Sequence, residues 1–121
     1  MSDIEQEVQT KGLNAPRITP ADIEAAIAEE HYIRGADIMG GASVASAPSH
    51  PLHRLTLCVL VLRNGFTVTG ESACVSPENF DAETGRKIAR QNAVAKIWPL
   101  MGYALRDKLH ARSQSGAVGE G

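Results

Sequence analysis

Leu55-Thr-Leu-Cys-Val-Leu-Val-Leu62 is the stretch that decides the fold. It is typical of a β-strand, because large apolar and β-branched residues fill it. Asn64-Gly65 then forms a hairpin signal, and residues 66–75 return as a second strand. After Asp81, which can cap a helix, the sequence becomes helical. We therefore expect a β-hairpin followed by a long helix.

The hairpin signal also predicts which residues face each other. A two-residue turn at Asn64-Gly65 pairs Arg63 with Phe66 and places Cys58 opposite Glu71. The sulfurs of Cys58 and Cys74 then fall on opposite faces, so a bridge within the hairpin is not expected. One face carries Leu57, Val59, Val61, Phe66 and Val68, and the other carries Cys58, Leu60 and Leu62 opposite Glu71, Thr69 and Thr67.

Signals on either side of the hairpin complete an α+β domain. Thr19-Pro20-Ala21-Asp22 predicts a helix start, and we expect this helix to run to about Ile33. Residues 35–51 are small and proline-punctuated, which predicts a flexible loop. The C-terminal helix is expected from Ala82 to about His110, with a kink at Pro99. The expected organisation is a disordered tail at 1–18, one α-β-β-α domain at 19–112 and a second tail at 113–121.

The first strand of the hairpin is apolar on both faces, which one helix layer cannot cover. A two-stranded ribbon is also marginal in water. The simplest remedy is a second copy of the chain, so we expect a homo-oligomer, a dimer or higher. The alternative is that residues 20–33 cover the second face within one chain.

Charge is uneven although the net charge is only −2. Residues 1–30 hold seven acids and two bases, whereas residues 81–112 hold seven bases and three acids. The basic patch Arg86, Lys87 and Arg90 begins the long helix and could meet phosphates. A solvated helix face is the alternative. The polar N-terminus and the short apolar runs predict neither a signal peptide nor a membrane span.

The corner between the second strand and the long helix is the best candidate ligand site. Gly70 within a strand indicates a close backbone approach. A cradle there would use the helix start and the polar side chains around it. In the alternative, Glu71 pairs with Arg86 or Lys87 and Asn79 closes the turn; Asn92 is either a structural hydrogen bonder or a site residue. The candidate ligand-binding residues are Glu71, Ser72, Asn79, Arg86, Lys87 and Arg90.

Enzyme signatures are missing from the sequence. No phosphate-binding loop, dinucleotide fingerprint or paired Cys-x-x-Cys occurs, so we predict a non-enzymatic protein without cofactor or metal. His50 and His53 share a loop at metal-ligand spacing but need further ligands. A nucleophilic Cys58 or Cys74 is a third possibility, although thiols in apolar strands are usually inert.

Several strings of the chain resemble one family of small proteins of tailed bacteriophages, catalogued as the phage gene-product-forty-nine type. They are Arg63 to Val75, Pro77 to Asp81, Gly85 to Ala89 and Lys96 to Leu100 followed by Gly102-Tyr103. The resemblance covers roughly residues 20–110, apart from a longer loop at 35–51. It implies a phage or prophage gene of small accessory type, and it transfers no catalytic or ligand residue.

A second similarity concerns the hairpin and residues 85–96. Together they are similar to the last part of a double-stranded-RNA-binding domain, in which a basic helix start meets phosphates across a groove. The chain differs from that pattern in three respects. A third strand is missing, Arg86-Lys87 replaces the lysine pair, and Pro99 interrupts the helix.

These observations favour a phage accessory protein that acts by stoichiometric binding in the host cytoplasm, in host takeover or anti-defence. Its partner would be a host protein or a small anionic nucleotide signal held between subunits. The alternative is a nucleic-acid-binding protein, whose affinity falls steeply with salt.

Overall fold

The computed structural model describes Ile4, Gln6 and residues 15–120, the last six as backbone only. The elements are helix α1 (Pro20–Ala26), strand β1 (Ile27–Arg34), helices α2 (Gly35–Ile38) and α3 (Gly41–Ala45), strands β2 (Leu55–Leu62) and β3 (Thr67–Ala73), and helix α4 (Ala82–Glu120). Short 3₁₀ turns precede β2 at Pro51–Arg54 and α4 at Pro77–Asn79. The expected α+β fold, with an N-terminal helix, a hairpin and a long C-terminal helix, is confirmed.

Helix α1 begins as its sequence predicts but ends early. The amide of Asp22 donates to Thr19 Oγ1 at 3.2 Å, and the amide of Thr19 donates to Asp22 Oδ2 at 2.9 Å. This reciprocal pair is a capping box. However, the helix stops at Ala26, and the residues predicted to continue it form β1. The prediction of a helix to Ile33 is therefore wrong, because pairing with β2 overrides the helical preference of Ala and Glu.

Strand β1 lies against β2, so the sheet has three antiparallel strands in the order β1-β2-β3. Tyr32 is paired with Cys58, and Ile33 with Leu57. The expectation of a two-stranded ribbon is corrected, since β2 is now central and both of its edges are paired within one chain. The marginal stability of a two-stranded ribbon therefore no longer supports the expected homo-oligomer.

The hairpin has a three-residue turn, and its register differs by one residue from the prediction. Leu62 N donates to Phe66 O at 2.8 Å, and Gly65 N donates to Leu62 O at 2.9 Å. Gly65 has φ +89°, so the turn ends in a left-handed residue, as three-residue hairpin loops do. Asn64 and Gly65 suit this turn as well as the two-residue one, which is why the prediction missed it.

The new register moves Val68 and Gly70 onto the face of Cys58 and Leu60. Cys58 is paired with Gly70 rather than Glu71, and the predicted assignment of residues to faces is wrong for β3. A shift of one residue exchanges the faces because side chains alternate along a strand. The buried residues of this face are Thr56, Cys58, Leu60, Leu62, Val68 and Gly70.

Helix α4 covers this face at very close range. Ala89 and Ala93 are fully buried, and a Cβ added at Gly70 would overlap the main chain of both. A Cβ at Gly85 would lie 3.1 Å from Thr56 Oγ1. The close backbone approach that Gly70 indicates in the sequence is found here. We call this contact of α4 with the sheet, at Gly70, Ala89 and Ala93, the seam. Its burial is the main apolar contribution to the stability of the unit formed by residues 26–96.

The segment predicted as a flexible loop, residues 35–51, contains α2 and α3. Val44 is buried, and its carbonyl is 2.8 Å from His53 Nε2. Gly40 and Gly41 take positive φ values of 82° and 54°, which the chain uses to pass from one short helix to the next. The segment is thus organised by local turns that composition does not reveal.

Helix α4 runs through Pro99 and reaches Glu120. Residues 113–120, predicted as a disordered tail, are helical in the structure, because serine and glycine lower helix propensity without forbidding a helix. The kink at Pro99 stays a prediction. Most of the predicted tail at 1–18 lies outside the described residues. Among the described residues of the second compact unit, which lie before Ala26 and from Ile97 onward, Ile23 and Ile97 are the buried side chains.

Candidate corner pocket

One corner of the unit 26–96 forms an open pocket of about 190 Å³, which we call the corner pocket. The end of β1, the start of α2, the start of β2 and the first turns of α4 meet there. The 3₁₀ turn before α4 brings Phe80 to the same place. The lining residues are Tyr32, Ile33, Arg34, Asp37, Thr56, Phe80, Ala82 and Arg86.

Two arginines from separate elements line the corner pocket. Arg34 lies at the end of β1, and its Nε is 3.7 Å from Asp37 Oδ2. Both side chains of this pair are about half exposed, so water screens their attraction. Arg86 projects from the first turns of α4 and is exposed. The pocket therefore carries two cations against one carboxylate, which favours an anionic group.

The start of α4 is capped by Asp81, as predicted. Thr84 donates to Asp81 Oδ2 through its amide at 3.0 Å and through its hydroxyl at 2.6 Å. The hydroxyl bond, then the amide bond, lower the pKa of Asp81, and Arg86 and Lys87 lower it further. Because the cap occupies part of the helix start, an anion in the corner pocket depends on side chains rather than on the free amides of α4.

Tyr32 connects the corner pocket to an ion pair between the sheet and α4. Its hydroxyl donates to Glu30 Oε2 at 3.1 Å, while Arg90 Nε and Nη2 donate to Glu30 Oε1 at 2.8 and 2.6 Å. The bonds from Arg90 lower the pKa of Glu30, and burial, followed by the bond to Glu30, raises the pKa of Tyr32 to about 12. The arrangement fixes the tyrosine ring at the pocket and ties β1 to α4.

The predicted basic patch is divided among three different roles. Arg86 lines the corner pocket. Lys87 Nζ is 3.6 Å from Glu83 Oε1 in an exposed pair along the helix. Arg90 is engaged with Glu30, as described above. Only one of the three cations therefore faces the pocket, and that one is the best candidate for a ligand contact.

The other predicted site residues do not line the corner pocket. Glu71 is exposed on the sheet face opposite α4, so it pairs with neither Arg86 nor Lys87 as the alternative supposed. Ser72 is half-buried on the α4 side of β3, and Asn79 is exposed in the 3₁₀ turn. Asn92 Nδ2 donates to the carbonyl of Glu71 at 2.7 Å, which makes it a structural hydrogen bonder between α4 and β3.

Sequence reasoning missed seven of the eight lining residues of the corner pocket. Four of the seven carry polar side chains: Tyr32, Arg34, Asp37 and Thr56. The first two were assigned to a helix and its end, and Asp37 to a loop. The available signal was the marginal stability of a two-stranded ribbon, which a third strand relieves. This signal predicts a further strand in the chain, and residues 27–34 form that strand.

Two histidines and both cysteines of the chain are held by local contacts or by burial. His50 Nδ1 accepts from Leu52 N at 3.2 Å within a turn, and His53 bonds to Val44 as noted. Cys58 is fully buried, and burial raises the pKa of its thiol, while Cys74 Sγ donates to Ser76 O at 3.2 Å. Within the described residues, no group of three or more His, Cys, Asp or Glu is placed to hold a metal ion.

Comparison with known proteins identifies the family. A family model described as "Phage protein (N4 Gp49/phage Sf6 gene 66) family" matches residues 18–109. The chain belongs to this phage family. The match includes every residue of the corner pocket. Neither the curated proteins nor the solved structures contain a match to the chain.

The family match agrees with the resemblance seen in the sequence and extends across the segment 35–51. It establishes a phage protein and brings no function with it. None of the helices in the described part of the chain has the length and apolar character needed to cross a membrane.

Proposed function

We propose that this phage protein acts by stoichiometric binding of a small phosphate-bearing ligand, a nucleotide, in the corner pocket. It does so without catalysing a reaction. The observation that carries the proposal is the convergence of Arg34 and Arg86, from β1 and α4, on one pocket. Guanidinium groups bind phosphate oxygens through paired hydrogen bonds, and two of them can hold one phosphate from two sides.

The walls of the corner pocket suit the rest of a nucleotide. Tyr32 and Phe80 line the same pocket as the two arginines. Aromatic faces stack on bases whatever their sequence identity. The volume, about 190 Å³, is below the roughly 300–1,000 Å³ of sites that enclose a whole ligand. The pocket therefore encloses only part of the nucleotide, and the remainder lies over the surface or against a second subunit.

A thermal-shift screen with cyclic and linear nucleotides tests the proposal. A ligand at about 100 times its Kd stabilises the folded state by about 2.7 kcal/mol, which raises the melting temperature by several degrees. We expect such a shift for at least one nucleotide. Arg86→Gln should remove the shift, whereas Lys87→Gln, which changes the neighbouring cation outside the pocket, should retain it. No shift with any nucleotide far above micromolar concentration would sink the proposal.

Sequestration of a nucleotide immune signal in the host cytoplasm is the purpose we propose. A phage protein that removes such a signal needs only to bind it tightly, and the family match establishes the phage origin that this purpose requires. The native mass of the protein purified from infected cells tests this directly. We expect an added mass equal to a nucleotide, and loss of that mass in Arg86→Gln. Recovery of a stoichiometric host protein with no small molecule would instead support inhibition of a host protein.

We also propose that the protein forms a homo-oligomer. The support is now the sheet face opposite α4, where Leu57, Val59 and Val61 remain only half-buried and Ile33 lies beside them. A second copy would cover this apolar stripe. The same native-mass measurement decides the matter. We expect a multiple of 12.9 kDa, and a single-chain mass at micromolar concentration would contradict this part of the proposal.

Duplex RNA binding is a second candidate, and one observation favours it. The third strand, absent from the sequence prediction, removes a departure from the double-stranded-RNA-binding pattern. Arg86 and Lys87 lie exposed at the start of α4, where that pattern places its phosphate contacts. This candidate predicts an affinity for duplex RNA that falls steeply as salt rises. A flat salt response, or no binding at low salt, removes it.

A further inference from the structure

We propose that Asp37 sets how tightly the corner pocket binds phosphate. It acts as an internal counter-ion of Arg34 that the incoming phosphate must displace. This inference rests on the proposed function, because it concerns the affinity of the same pocket for its anion. Asp37 is the one carboxylate among the pocket's lining residues, and it faces the pocket from α2.

The geometry of the pair makes displacement inexpensive. Arg34 Nε and Asp37 Oδ2 are 3.7 Å apart, whereas a charge-assisted N–H···O bond spans about 2.7–2.9 Å. The side chains are 46% and 60% exposed, so each ion keeps much of its hydration. Such a pair is weakly coupled. A phosphate that bonds to both Arg34 and Arg86 can therefore replace Asp37 at the first guanidinium.

The same carboxylate weakens the binding of every anion, because its negative charge repels each one that enters the pocket. A phosphate with several oxygens can engage two guanidinium groups at once. Bonds to both arginines offset the repulsion, so Asp37 determines how tightly the corner pocket holds a phosphate.

The decisive variant is Asp37→Asn, measured by calorimetry with inorganic phosphate and with AMP. Removing one negative charge beside the site should tighten both by about three- to tenfold, allowing for solvent screening. The matched control is Glu83→Gln, which removes an acid from the first turn of α4 outside the pocket. It should leave both affinities within about twofold, because its partner Lys87 does not line the pocket.

A second pair of variants tests whether Asp37 acts through Arg34. In Arg34→Gln, the further change Asp37→Asn should tighten binding by clearly less than it does in the wild-type chain, since the guanidinium that it frees is gone. Melting of each variant without ligand verifies that the fold is intact.

The outcomes separate this inference from the proposed function. Equal tightening by Asp37→Asn and Glu83→Gln, or no tightening by Asp37→Asn, overturns the role of Asp37 while leaving nucleotide binding in place. Binding by Asp37→Asn, with none detectable in the wild-type chain, supports the repulsion by Asp37 but overturns nucleotide binding by the natural chain. If neither chain binds phosphate or AMP at about 10 mM, which corresponds to roughly −2.7 kcal/mol, both proposals fall together.

Discussion

The first half of α4 meets the sheet in two contrasting ways. Near Ala89 and Ala93 the helix main chain rests directly on Gly70, with no side chain between them. One turn earlier, at Arg86, the same helix stands beside an open pocket whose charged groups are half or fully exposed. Most of the buried apolar surface lies at the seam, and little of it lies at the corner pocket. Residues of the pocket can therefore change for binding with little loss of stability.

The largest expected effect comes from adding a side chain at the seam, where there is no room for one. The methyl group of Gly70→Ala would overlap the main chain of α4, so the helix must move away from β3 and β2. We expect a loss of about 3 kcal/mol or more in the free energy of unfolding, at the upper end of overpacking costs. Urea denaturation followed by circular dichroism measures it.

Gly102→Ala is the matched control, because a Cβ at that helical glycine meets no atom within 4 Å. It should raise stability by about 0.5–1 kcal/mol through helix propensity. If Gly70→Ala unfolds at the same urea concentration as the wild-type chain, the description of the seam is wrong.

An intermediate effect is expected from the ion pair that ties β1 to α4. Glu30→Gln should lower stability by about 1 kcal/mol at pH 7, a value reduced for the partial exposure of the pair. The pKa of Glu30 is lowered in the folded state, so the stabilisation is present above pH 4.5 and is lost as pH falls through the folded pKa. Denaturant titrations at several pH values measure the difference.

Glu29→Gln serves as the control, since Glu29 pairs with His31 on the same exposed strand. It should change stability by less than about 0.5 kcal/mol. A constant difference between Glu30→Gln and the wild-type chain from pH 7 to pH 3 would contradict the assigned ion pair.

The smallest effect concerns the tyrosine shared by the pair and the corner pocket. Tyr32→Phe removes a 3.1 Å bond to a half-exposed carboxylate and should cost about 0.5 kcal/mol. Because the pKa of Tyr32 is raised from 10 to about 12, this contribution is complete below pH 10 and disappears as pH rises toward 12. Ultraviolet absorbance should show one phenol fewer titrating near pH 12 in Tyr32→Phe. An unchanged titration curve would show that another group was responsible.

The contrast between seam and pocket also explains what the sequence could predict. The hairpin, the long helix, the caps at Thr19 and Asp81 and the close approach at Gly70 all follow from local signals, and each is found. Such features depend on turn chemistry, capping and residue size, which neighbouring residues determine.

The missed features depend on pairing between distant segments. Residues 27–34 contain good helix formers, and only the edge offered by β2 makes them a strand. The one-residue register shift arose because Asn64-Gly65 supports two turn lengths. Since the corner pocket is assembled from β1, α2, β2 and α4, an error in β1 removed Tyr32 and Arg34 from the predicted site. Arg86 was retained because its place on the helix was correct.

The most direct test of the central claim is an NMR titration that follows the arginine Nε–H signals during addition of a nucleotide identified by thermal shift. Binding in the corner pocket predicts large shifts for Arg34 and Arg86, which line it. Little change is expected for Arg90, which stays bonded to Glu30, and for the amides of Ala89 and Ala93 at the seam. A shift at Arg90 with none at Arg34 would place the ligand elsewhere on α4 and contradict the corner pocket as the binding site.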